Sequence, residues 1–243
     1  MRNAILCHVY YTNKFNELAT YINIIKSAGD FDIFFTMPKE NKLSIPYIRK
    51  HFPDAFFFLT DNIGFDIFPF LNCISRIELD KYDLIFKIHS KKDIPIRYQL
   101  NNFDLSGSRW RDELLTSIAG NKNRVNEILR IFSRHPHIGA LGSENLIIRG
   151  QESVQRDIDC NAVKRYMDEC GLIIRNWEFI AGTMFVMRAK LLLPLKNRNF
   201  NATDFPPIFP RDWNSLPYCI ERMFGCMISA QGYVIGGLPT LLK

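Results

Sequence analysis

Apolar residues fall along this chain in two rhythms. Short continuous apolar runs alternate with stretches whose apolar residues recur every three or four positions, the spacing of one helix face. Ala4 to Tyr10 is the first run, of the kind a strand shows when both faces are buried. Leu18, Tyr21, Ile22 and Ile25 then repeat at helical spacing. They predict a helix from Asn16 to Ala28, capped by Asn13 and ended by Gly29-Asp30. Phe31 to Thr36 reads as a second strand, Ile45 to His51 as a helix, and Ala55 to Leu59 as a third strand. Gly64 to Leu79 reads as a helix and Tyr82 to Ile88 as a fourth strand. Strands alternating with helices predict a parallel sheet of the doubly wound type.

The second half is more helical. Ser108 to Ala119, Arg124 to Ser133, Asn161 to Cys170 and Leu216 to Gln231 have helical periodicity, and a further helix starts at Ala189. His137 to Leu141 and Tyr233 to Gly237 are short strands, and Phe179 to Met187 reads as one apolar strand carrying a glycine. Residues 143–160 show no clear pattern, and 197–216 read as a loop rich in Asn, Pro, Phe and Asp. No repeat, low-complexity tract or linker interrupts the chain, so one α/β domain over residues 1–243 is expected.

Composition narrows the function classes. Hydrophobic residues make up 47% of the chain, enough for a sizeable core. The net charge of +6 is spread along the sequence, without the dense basic stripe and motif of a nucleic-acid binder. An anionic membrane surface or a phosphorylated small molecule suits this balance. The six cysteines form no CxxC and no zinc spacing, which reads as buried thiols in a reducing compartment. No apolar window is long enough for a spanning helix, and the apolar start is too short for a signal peptide. A cytoplasmic protein is expected.

The densest candidate chemistry lies at Tyr82 to Lys92, YDLIFKIHSKK, where a buried strand ends in His89, Ser90, Lys91 and Lys92. Ligands of open α/β sheets bind outside the carboxyl ends of the strands. Two lysines, an imidazole and a hydroxyl there make either a cradle for a phosphate-bearing ligand or a solvated loop.

This stretch also carries a resemblance. With HVYYTN at 8–13, NIGFDIFPFL at 62–71, SGSRWRDELL at 106–115, EFIAGTMFVMR at 178–188 and IERMFG at 220–225, the chain resembles the rhamnan synthesis protein F family. These are bacterial glycosyltransferases of surface polysaccharide assembly. The resemblance implies a Rossmann-like, mostly parallel sheet of the glycosyltransferase A type, with residues 1–105 binding a nucleotide-sugar and 106–243 the acceptor. The implied donor is dTDP-L-rhamnose or a UDP-sugar. The implied acceptor is a lipid-linked glycan such as O-antigen, met peripherally at the inner face of the bacterial plasma membrane.

Roles for individual residues follow from the resemblance. Tyr10 or Tyr11 would stack on the base. Asn62, Gly64 and Asp66 would lie beside the donor, Gly64 allowing close backbone approach and Asp66 accepting from hydroxyls. A-fold enzymes usually end the fourth strand in a metal-binding Asp-x-Asp. Here basic residues stand instead, so Lys91 and Lys92 would neutralise the diphosphate, with His89 and Ser90 beside them. No metal ligand is assigned and no cofactor is certain. A role for Mg²⁺ or Mn²⁺ is left open, with His89 and Asp93 nearest to a ligand set. Arg109 or Arg111, and Arg222, would reach phosphate. Glu178, Gly182 and Thr183 would line the sugar. Glu221 is the first candidate for the base that deprotonates the acceptor, ahead of Asp204 and Asp212. The missing Asp-x-Asp also supports a rival reading, a degenerate transferase fold that binds a glycan or a partner without catalysis.

Overall fold

The computed structural model describes residues 1–100, 103–155, 160–205 and 214–241. Strands and helices alternate first as β1 (Asn3–His8), α1 (Phe15–Lys26), β2 (Phe31–Pro38), α2 (Ile45–His51), β3 (Phe56–Thr60), α3 (Ile67–Arg76) and β4 (Leu84–His89). A small hairpin, β5 (Gln99–Leu100) and β6 (Phe103–Asp104), leads to α4 (Arg109–Ala119) and α5 (Lys122–Arg134). Then come β7 (Ile138–Ser143), β8 (Ile147–Arg149), α6 (Gln151–Gln155), α7 (Cys160–Glu169), β9 (Glu178–Ile180) and β10 (Phe185–Arg188). The series ends with α8 (Leu193–Arg198), α9 (Leu216–Ala230) and β11 (Val234–Leu238).

Seven strands form one sheet in the order β11-β7-β10-β4-β1-β2-β3. β10 runs antiparallel to both its neighbours, and the other pairings are parallel. The mostly parallel α/β sheet expected from the sequence is therefore present. Alternate residues of each strand feed opposite faces. Ala4 and Leu6 of β1, with Phe34, Ile85 and Phe185, pack under α3, α7, α8 and α9. Ile5 and Cys7, with Phe35, Phe86 and Val186, pack under α1, α2, α4 and α5. Burying one of these phenylalanines stabilises by roughly 1.5–3 kcal/mol.

This layering creates the crevice. From β1 the chain steps outward through α1, β2, α2 and β3 on one side of the sheet. Helix α3 lies on the other face and carries the chain back to β4, which pairs on the opposite side of β1. The strand order reverses at that point, the place where such sheets bind ligands. Among the described residues no helix is long and apolar enough to cross a membrane.

Three local readings change. Phe179 to Met187 is not one strand: it breaks into β9, which pairs with β8, and β10, which enters the main sheet. Between them Gly182 (φ +90°) and Thr183 (φ +55°) take left-handed conformations that no strand can continue. Residues 143–160 do contain structure, β8 and α6, too short to show a period. Helix α3 starts at Ile67 rather than at Gly64, because Gly64 (φ +63°) and Phe65 (φ +55°) first turn the chain.

Candidate functional site

The period of two along each strand selects what meets in the crevice. Lys87 and His89 lie on the face of β4 that Ile85 shares, and Leu6 and His8 stand in register with them on β1. Thr36 continues the row on β2 beside His8. Asp66 arrives at the head of α3. Because β10 runs antiparallel to β4, its start lies at the carboxyl end of β4, with Phe185 opposite Lys87. Gly182 and Thr183 are thereby delivered onto His89.

The result is a buried polar cluster. Lys87 Nζ donates to Asp66 Oδ2 at 2.5 Å, to Thr183 O at 2.9 Å and to Thr183 Oγ1 at 3.1 Å. Thr183 Oγ1 donates to the same Asp66 oxygen at 2.6 Å. His89 Nε2 donates to Gly182 O at 3.0 Å and lies 3.8 Å from Asp66 Oδ2. His8 Nδ1 is hydrogen-bonded to Thr36 Oγ1 at 3.0 Å. The Lys87 side chain is 2% exposed, and its ammonium is ringed by Phe70, Phe224 and Phe185 at 5.2, 5.9 and 6.0 Å from the ring centres.

Burial fixes most charges here. It pushes His8 down to about 3 and lowers His89 too, so both imidazoles are neutral near pH 7. Burial lowers the Lys87 ammonium, and Asp66 opposes that. Burial alone would raise Asp66. The facing His89 and Lys87, with the Lys87 and Thr183 hydrogen bonds, overcome it and hold the carboxyl well below the usual range. Since His89 is itself neutral, Lys87 supplies the charge. Asp66 and Lys87 form an ion pair.

Above this layer, Ser90 Oγ accepts from the Tyr10 and Tyr11 amides at 2.9 and 2.8 Å, fastening the end of β1 to the end of β4. The two tyrosine rings meet edge to face at 4.8 Å. Glu221 approaches from α9. Its Oε1 accepts from the Gly182 amide at 2.8 Å, and its Oε2 from Arg222 at 2.5 Å. The reason is local: a Cβ at Gly225 would come within 1.9 Å of the Glu178 carbonyl oxygen, so only glycine lets α9 press this closely on β9. Glu221 lies one helical turn before Gly225 on the same face.

Trp110 closes the other side of the turn. A Cβ at Gly182 would meet its Nε1 at 2.7 Å, and that Nε1 is buried without a partner among the described residues. Tyr98 stacks on Trp110 at 5.5 Å, and Lys91 Nζ sits 3.7 Å from the ring centre.

The expected residues thus divide. Asp66, His89, Gly182, Thr183 and Glu221 are joined by direct contacts, with Ser90, Tyr10 and Tyr11 on the rim beside them. Exposed Asn62 and half-buried Gly64 lead the chain to Asp66, and Lys92 is exposed beyond Lys91. Arg109 turns to Asp104 at 2.7 Å, and Arg111 holds Glu17 and Asp93. Arg222 lies over Phe179 at 4.6 Å. Glu178 pairs with Arg149 at 3.5 Å, and burial raises its carboxyl despite that neighbour. Asp204 closes a capping box with Asn201 and faces Arg198 at 3.7 Å. Among the described residues no hydrogen bond or ion pair joins the side chain of Glu178 or Asp204 to the cluster. Asp212 lies outside the described residues.

Lys87 is the residue that the sequence reading passed over. Its signal was present: a lysine inside an otherwise apolar strand, two positions before His89 and so on the same face.

The cluster does not suit Mg²⁺ or Mn²⁺. These hard cations take oxygen ligands. Here Asp66 is already neutralised by a buried ammonium, and its other neighbours are imidazoles. Among the described residues no group of three or more His, Cys, Asp or Glu side chains is placed to hold a metal ion.

Doubly wound topology with a charged cluster at the strand switch defines an α/β protein whose polar cluster lies where sheets of this kind bind ligands. Comparison with known proteins gives the family: rhamnan synthesis protein F matches residues 1–233, and the chain belongs to that family. WxcX of Xanthomonas campestris pv. campestris, itself uncharacterized, is 27% identical over 173 residues in two strains. That match covers 71% of this chain but 24% of WxcX, so the chain spans about a quarter of the relatives it matches. Among solved structures, S. aureus TarS 1–349 is similar over 98% of this chain and 58% of its own, at 13% identity and a TM-score of 0.46. Its UDP complex gives the same TM-score at 12% identity.

Proposed function

We propose that this chain is a glycosyltransferase of surface polysaccharide assembly that takes its donor sugar from a nucleotide. The observation that carries the reading is the Asp66–Lys87–Thr183–His89 cluster at the strand switch of a rhamnan synthesis protein F member. The donor is dTDP-L-rhamnose or a UDP-sugar, and the acceptor a hydroxyl of a lipid-linked glycan such as O-antigen. Tyr10 and Tyr11 flank the base. Lys91, Lys92 and an arginine, Arg109 or Arg222, face the diphosphate and stabilise it as it leaves. The Gly182–Thr183 turn lies under the sugar.

The reaction is an in-line displacement at the anomeric carbon. The acceptor oxygen bonds to that carbon, the bond to the diphosphate breaks, and the acceptor proton passes to Glu221. The chain works at the inner face of the bacterial plasma membrane, drawn to anionic lipid by its charge of +6.

The test is nucleoside diphosphate release from a panel of nucleotide-sugars, first without acceptor. Glu221→Gln is expected to keep donor affinity and lower transfer by roughly 10²–10⁴-fold, the worth of a general base. One observation favours the rival binding module: both Glu221 oxygens already accept protein hydrogen bonds. Nucleotide-sugar binding with no diphosphate release under any acceptor would decide for that module.

A further inference from the structure

We infer that Lys87 is a positioning residue, which through Asp66 aims one carboxylate oxygen at a hydroxyl of the donor's sugar. This rests on the nucleotide-sugar reading above and names the part of the donor that the cluster recognises.

Lys87 does not reach a ligand itself. An ammonium has three donors, and those of Lys87 are spent on Asp66 Oδ2, Thr183 O and Thr183 Oγ1. Asp66 is spent on one side only. Oδ2 takes both Lys87 and Thr183, whereas Oδ1 takes no hydrogen bond among the described residues. The Asp66 side chain keeps 18% of its surface exposed.

An ionised carboxylate oxygen only accepts. A diphosphate at neutral pH also only accepts, so Oδ1 and the phosphates repel. Sugar hydroxyls donate, and a neutral sugar offers several. The chemistry therefore assigns Oδ1 to the sugar and leaves the diphosphate to the basic rim. The turn is built to keep this aim. Thr183 is held at φ +55°, a costly conformation for a β-branched residue, by Lys87 on its carbonyl and by Asp66 on its hydroxyl. Without Lys87, Asp66 would be a buried carboxyl with no counter-charge. Its pKa would rise into the working range.

Calorimetric titration of the chain with UDP, dTDP and GDP, and with UDP-glucose, UDP-galactose, dTDP-L-rhamnose and GDP-mannose, tests this. The readout is the ratio of sugar-nucleotide affinity to that of the matching diphosphate. Asp66→Asn is expected to lower this ratio roughly 10- to 100-fold, the worth of a hydrogen bond to a charged group, and to leave diphosphate affinity in place. Lys87→Met should lower the ratio similarly at pH 6. It should add a rise in sugar-nucleotide affinity between about pH 5 and 8 that the unmodified chain lacks. A merely structural lysine would give no such profile.

The neutral pair Lys87→Met/Asp66→Asn covers the case in which Lys87→Met does not fold, since replacing both partners leaves no orphan charge. It should bind the diphosphate normally with the lowered ratio. An unchanged ratio in Asp66→Asn or in the double variant overturns the inference. Failure of every diphosphate to bind the unmodified chain overturns the nucleotide-sugar reading instead.

Discussion

Two lysines four residues apart on one strand end live in different worlds. Lys87 lies beneath the crevice, 2% exposed, with every donor spent on Asp66 and Thr183. Lys91 lies above it, on the face of Trp110 at the rim. Taking a charge out of water costs several kcal/mol, and only close pairing offsets it. At the rim the same charge stays hydrated, and a surface contact is worth about 0–1 kcal/mol. Depth, not residue type, decides which of the two lysines the fold depends on.

The largest break in this comparison should come from Lys87→Ala. It leaves Asp66 buried without its partner, and chemical denaturation should show a loss of about 3–5 kcal/mol. Acid should attack the same layer next. His8 stays neutral in the folded chain down to about pH 3 but takes a proton below about 6.5 when unfolded. The unfolded state binds more protons in that window, so stability falls as pH drops through it, by about 2 kcal/mol at pH 5 from this residue alone. His8→Gln should flatten the measured pH dependence between 6.5 and 4.

Gly182→Ala tests the boundary between layer and rim, because its Cβ would meet Trp110 at φ +90°. A loss of about 1–2 kcal/mol is expected from the backbone alone, with added change in indole fluorescence. The double change Lys91→Ala, Lys92→Ala should do least to the fold, within about 0.5 kcal/mol. It should nonetheless weaken nucleoside diphosphate binding strongly in titration. Unchanged binding would remove the rim lysines from the donor site. EDTA is expected to leave nucleotide affinity as it is, and a loss restored by Mn²⁺ would locate a carboxylate set beyond the cluster.

The sheet was legible because β1, β2 and β4 are buried on both faces and read as short, mostly apolar runs. Gly29 marked where α1 gives out, but Asn13 does not cap it: Asn13 lies in a short 3-10 turn, and Lys14 precedes the helix without a side-chain cap. The site was legible only in part. Asp66 and Thr183 stand 117 positions apart, and Lys87 and Thr183 stand 96 apart. No local period announces such meetings. Lys87 was hidden by its setting, since an apolar run absorbs one long side chain without losing its appearance. The break inside EFIAGTMFVMR was hidden by composition, because Ala181 and Met184 are as apolar as a strand needs and only Gly182 hinted at the turn.

That break has a consequence for how the chain can vary. The link 181–184 is fastened at both ends, with Ile180 held opposite Ile147 and Phe185 opposite Lys87. One residue added or removed there would slip β10 by a single position and swap its side chains between the two cores, sending Phe185 to the layer that Val186 fills. The link is therefore a spacer whose length is more tightly constrained than its composition. Relatives should tolerate changes of side chain at Ala181 or Met184 far better than a change in the count of residues between the two strands.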